Sequence, residues 1–152
     1  ITNYGVNGVT AALFSFGLGA AIGNFLSGRI PMNYLTSGLI FSLSGLALVL
    51  AIFTFLIQNP ISALIIVFLF GLGAFGTIPI LQTKMITGAK EAPTLAATSA
   101  ASAFNVANAV GAWLGGVLLS NGFSFLVISL AGALITVIGL IITLFSKYTV
   151  KQ

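Results

Sequence analysis

The chain has 152 residues, of which 59% are hydrophobic and 4% charged, with five basic residues against one acid and a formal charge of +4. A water-soluble domain carries about 25% charged residues, so this chain cannot coat itself with polar side chains and reads as an integral membrane protein. It has no cysteine and no histidine, which excludes disulfides, thiolate chemistry and the usual zinc sites; no cofactor is expected, and no basic patch suggests nucleic acid.

A helix needs about 20 apolar residues to span a bilayer, and five runs reach that length. The first, 8–27, has no basic residue before it, so no signal peptide is expected; it ends at Gly28-Arg29-Ile30-Pro31. The second, 35–57, ends at Gln58-Asn59-Pro60. The third, 61–81, is closed by Pro79 and Gln82, with Lys84 just beyond. A polar turn at 87–91 holds Glu91, the single acid, and Pro93 suits an early helical position where a missing N–H costs nothing. The fourth run, 95–119, stops at the turn Ser120-Asn121-Gly122. The fifth, 123–145, ends at Ser146-Lys147. The expected fold class is an all-α membrane protein of five transmembrane helices.

The basic residues set an orientation. Arg29 follows the first run, Lys84 and Lys90 the third, Lys147 and Lys151 the fifth, while the other links carry no charge. All five fall on one side of the membrane, which the positive-inside rule makes cytoplasmic. The N-terminus is therefore expected outside and the C-terminus inside.

One stretch dominates the chain: FNVANAVGAWLGG, 104–116. Ala107, Gly111 and Gly115 fall on one stripe, with Ala112 and Gly116 beside it, a pattern that lets another helix approach closely. Asn105 and Asn108 interrupt the apolar run, and an unpaired amide in hydrocarbon is costly. The first run carries a similar set in Gly19, Gly23, Asn24 and Gly28. The two helices are three spans apart and cross in opposite directions, as an inverted repeat of three-helix units requires. Here the repeat reads two plus three, with the missing helix expected before Ile1.

Three segments carry a family resemblance. GLGAAIGNFLSGRI (17–30) resembles the eighth helix and following loop of the major facilitator superfamily, nearest its drug/proton antiporter and sugar-efflux (arabinose efflux permease-like) branch. FLFGLGAFGTIPILQT (68–83) is similar to the tenth helix. APTLAATSAASAFNVANAVGAWLGG (92–116) resembles the loop and eleventh helix, with its Gly-Ala-x-x-Gly-Gly close. The resemblance implies that 1–152 is a partial C-terminal half, helices eight to twelve of twelve, of a transporter whose halves rock around a central site. It implies small organic solutes and protons as partners, beside the lipid bilayer and the N-terminal helices absent here, in a cell (inner or plasma) membrane. Gly28-Arg29 departs from the family pattern: an acid and a second base normally follow, where this chain reads Ile30-Pro31-Met32-Asn33, so the usual cytoplasmic ion pair is not expected.

Several residues are candidates for function. Asn108, Asn105 and Asn24 are expected either to bond between helices or to face a substrate cavity, and Thr77 and Gln82 to add polar contacts around a hinge at Pro79. Gly19, Gly23, Gly28, Gly111, Gly115 and Gly116 are expected at close helix interfaces, Arg29 in a cytoplasmic loop, and Trp113 in an interfacial or packing role. Ser15, Ser42, Ser44 and Ser129 are expected to bond back to their own helices. With no acid or histidine inside a span, the chain alone has no proton relay, and no nucleophile–base pair suggests an enzyme. Two functions remain open: part of a proton-coupled efflux transporter for a drug or sugar, or a small self-assembling or structural membrane protein.

Overall fold

A computed structural model describes residues 5–89 and 91–149, which form five α-helices and one short 3-10 turn. They are α1 (Val6–Ser27), the turn Met32–Tyr34, α2 (Leu35–Leu56), α3 (Pro60–Gly88), α4 (Pro93–Ser120) and α5 (Phe125–Thr149). Each contains a stretch long and apolar enough to cross a membrane. The chain is an all-α membrane protein. Two of the basic residues used for orientation, Lys90 and Lys151, lie outside the described residues, as does Ile1.

The helix ends follow local chemistry. The Gly28 N–H closes α1 onto the Asn24 carbonyl at 3.0 Å, and Pro31 then takes an extended conformation that cannot continue the helix. Asn59 caps α3: its side-chain oxygen accepts the Ile61 N–H at 3.1 Å, and Pro60 fills the first turn. At the end of α4 the Asn121 side-chain amide donates to the Val117 carbonyl at 2.8 Å, and Gly122 turns the chain at φ +77°.

The third helix outruns its expected end at 81. It continues through Pro79 to Gly88, with Pro79 inside it. A proline removes only one ladder bond, and in an apolar medium the remaining backbone groups have no better partner than the helix itself. Polar residues that read as a loop are absorbed: the Thr87 hydroxyl donates to the Thr83 carbonyl at 2.7 Å, and the Lys84 ammonium donates to the Thr36 hydroxyl of α2 at 2.9 Å.

Helix α3 is the hub. It packs α1 on one side and α2 on another, and α5 packs on α2. Glycines make the α1–α3 contact intimate. A Cβ added at Gly19 would overlap the Phe68 carbonyl, one at Gly23 the Leu72 carbonyl, and one at Gly71 the Phe16 carbonyl. Backbone therefore lies on backbone, as small residues permit within a bilayer. Phe16 flanks the crossing, its ring 5.9 Å from Phe70 and 5.8 Å from Phe75, and Phe70 in turn meets Phe53 of α2 at 6.0 Å. Leu35, Leu39 and Ile80 bury a small cluster between α2 and α3.

Three serines correct the expectation of bonding within their own helices. Ser15 donates to the Leu64 carbonyl of α3 at 2.8 Å, Ser42 to Gly73 of α3 at 3.3 Å, and Ser129 of α5 to Leu50 of α2. Where helices approach this closely, a neighbouring carbonyl with a spare lone pair comes within reach.

The fourth helix stands apart. It touches α3 and α5 only sparingly, and all its residues from 101 to 113 are exposed. A Cβ at Gly111, Gly115 or Gly116 would meet nothing within 4 Å. Gly19 and Gly23 of α1 are thus packed, and the glycines of α4 are uncovered among the described residues.

Candidate functional site

The uncovered stretch of α4 carries the amides. Asn105 and Asn108 are three residues apart, so they share one face, and both are exposed. Asn108 lies near the middle of Pro93–Ser120, at the depth where an amide facing hydrocarbon costs most. Trp113 stands exposed one turn further on.

The other candidates lie elsewhere. Asn24 is exposed near the end of α1, where its carbonyl accepts the Gly28 N–H and, at 3.3 Å, the Ser27 hydroxyl. Gln82 is exposed on α3 beyond Pro79. Thr77 is buried, at 8% exposure, and its hydroxyl donates to the Ala74 carbonyl of its own helix at 2.7 Å. Among the described residues no hydrogen bond joins these side chains, so the five are not one assembled constellation. Gly28 faces its own helix: its nearest surroundings are the carbonyls of Asn24 and Phe25.

Arg29 follows α1 in an exposed loop, its guanidinium 4.0 Å above the Phe25 ring. A cation over an aromatic face replaces an acidic partner here. The four-residue spacing of Phe25 and Arg29 was a readable signal for that contact. The Lys84–Thr36 bond, 48 residues apart, had no such signal. A further polar spot escaped the sequence. Thr54, Gln58 and Ser124 line a pocket of about 330 Å³ between α2 and the start of α5, and the Thr54 hydroxyl is enclosed there without a protein partner.

Comparison with known proteins supplies the lineage. No family model matches the chain, and no solved structure matches it. It is 43% identical over 145 residues to the uncharacterized MFS-type transporter YfhI of Bacillus subtilis, across 95% of this chain and 36% of that protein. It is 32% identical over 138 residues to the inner membrane transport protein YdhP of Escherichia coli, across 91% of this chain and 36% of the relative. The putative transporter AraJ of Escherichia coli is 30% identical over 138 residues, across 90% of this chain and 35% of its own length. The chain thus spans about a third of the length of these relatives. Five bilayer-crossing helices and this run of relatives identify it as a multi-pass membrane protein that belongs to the major facilitator superfamily.

Proposed function

We propose that the chain is part of the C-terminal half of an efflux transporter, which exports a small organic solute by alternating access in exchange for protons. The observation that carries this reading is α4. A helix with two mid-span amides and three bare glycines is uncovered along its middle, and such a surface in a membrane calls for other helices or an aqueous cavity. Relatives named as transporters over nearly the whole chain support the same reading.

In this reading Asn108 and Asn105 face the solute, with Asn24 and Gln82 on neighbouring walls and Pro79 as the hinge of α3. The glycines of α4 receive helices from outside this chain. The proton-coupling carboxylates lie in that other part, since Glu91 is the one acid here and follows α3 in a turn. The N-terminus faces outside and the C-terminus the cytoplasm of a cell membrane.

The test is solute efflux by the full-length protein in inverted vesicles under a proton gradient. Asn108→Ala should slow efflux by about tenfold, the worth of one hydrogen bond of about 1.4 kcal/mol, with expression unchanged. Unchanged efflux in the Asn105→Ala/Asn108→Ala double variant would remove α4 from the solute path.

A further inference from the structure

Pro79 falls where α3 changes neighbours. Before it, α3 is fastened to α1. Gly71 lies on the Phe16 carbonyl, Gly19 and Gly23 lie on the Phe68 and Leu72 carbonyls, and Ser15 donates to Leu64. These pairs keep one parallel register, each α1 residue meeting α3 49 residues on. In that register Ser27, the last residue of α1, comes level with Gly76. The last turns of α3 therefore extend past the end of α1, and there the contacts are with α2. Ile80 is buried against Leu35 and Leu39, and the Lys84 ammonium donates to the Thr36 hydroxyl at 2.9 Å.

We propose that Pro79 joins two bodies within this chain. One is α1 with residues 60–78 of α3. The other is residues 80–88 of α3 with α2, and with α5 carried on α2. The motion between them rests on the hinge reading of Pro79, whereas the division into two bodies stands on the packing alone.

The fastenings differ in kind. On the α1 side backbone lies on backbone, so neither helix can slide without lifting off the other. Where α2 crosses the first body, side chains meet instead. Ser42 donates to the Gly73 carbonyl at 3.3 Å, long for a hydroxyl donor. Leu46 lies beside Gly73, and the Phe53 ring meets the edge of Phe70 at 6.0 Å. Layers of side chains are the contacts across which packed helices shear. A groove of about 440 Å³ lies between Leu26 of α1 and Phe41 of α2, so the seam is open on that side. The second body is held together better. The Ser129 hydroxyl of α5 donates to the Leu50 carbonyl of α2, and the Leu50 side chain lies over Gly132. The link after α1 spans the two bodies: its Ile30 packs on the Leu35, Leu39 and Ile80 cluster, in a notch left by Gly38. Moving the part of α3 beyond Pro79 would thus carry the start of α2 with it and leave α1 behind.

Hydrogen exchange on the full-length protein in detergent tests the division. Lys84→Met removes the bond to Thr36, and Ile80→Ala removes the buried side chain at the centre of the cluster. Either should raise exchange several-fold in 80–88 and in 36–42 together, because a cooperative unit opens as a whole. Residues 9–25 and 64–72 should be unchanged. Should Ile80→Ala not fold, Lys84→Met decides. Faster exchange in 80–88 alone, or an equal rise in α1, would overturn the division. Cysteine pairs in a background cleared of other thiols test the motion. Thr36→Cys/Lys84→Cys lies within one body, and joining the pair with a short, cleavable bifunctional thiol reagent should leave efflux intact. Leu26→Cys/Phe41→Cys spans the two bodies, and joining it should stop efflux until the reagent is cleaved. Efflux lost with the first pair, or kept with the second, would overturn the motion. A full-length protein with no efflux before cross-linking would remove the transport reading, and the exchange pattern would still decide whether the two bodies exist.

Discussion

At the residue scale, glycines with one sequence signature have two different surroundings. Gly19 and Gly23 lie against the α3 backbone, while Gly111 and Gly115 face open space. Gly19→Leu should therefore cost more than the ~3 kcal/mol upper range of ordinary overpacking, because the obstacle is a backbone carbonyl and cannot move aside. Gly111→Leu should leave the stability of the 152-residue chain unchanged, as thermal unfolding in mild detergent will show. Equal losses would contradict the packing described. Ser15→Ala, which removes the bond to Leu64 across the α1–α3 seam, should cost about 0.6 kcal/mol, the usual worth of such a bond in a membrane protein. The small-residue stripes were legible because they depend only on spacing along one helix. The serine bonds were not, since which carbonyl a hydroxyl meets is decided by a helix 49 or 79 residues away.

At the element scale, five spans were readable from apolar run length, and Pro60, Pro93 and Gly122 mark boundaries for stated steric reasons. The C-terminal end of α3 was harder to read. Gln82, Thr83, Lys84 and Thr87 look like a loop by polarity, yet Lys84 finds Thr36 and Thr87 bonds back to its own helix. Polarity reports solvent preference, whereas a helix persists wherever its backbone lacks another partner. Pro79, a residue the helix passes through, is where the proposed hinge would act. Pro79→Ala restores one ladder bond, so the variant should fold with equal or greater thermal stability while efflux slows several-fold. Unchanged efflux would leave Pro79 as a static feature of α3.

At the scale of the whole molecule, α1, α2, α3 and α5 form a connected bundle and α4 leans away from it with its middle uncovered. The chain covers about a third of its relatives' length. The proposed complement is a set of helices supplied by the rest of a transporter. The 152-residue chain made alone should then self-associate through α4, and sedimentation in detergent should find species larger than one chain. A strictly monomeric, stable chain would argue that α4 needs no cover. The overall class was visible in composition and charge, since a chain with 4% charged residues has few alternatives to the bilayer. What covers α4 was not visible, because a small-residue face specifies closeness and leaves its partner unnamed.

The most direct measurement is the water accessibility of position 108. This chain has no cysteine, so Asn108→Cys adds one thiol to it, in a full-length background cleared of others. If α4 lines an alternating cavity, a membrane-impermeant thiol reagent should label position 108 from both sides, and a proton gradient should shift the balance between them. A thiol that reacts from neither side, with or without the gradient, would place α4 against lipid or sealed protein and contradict the account.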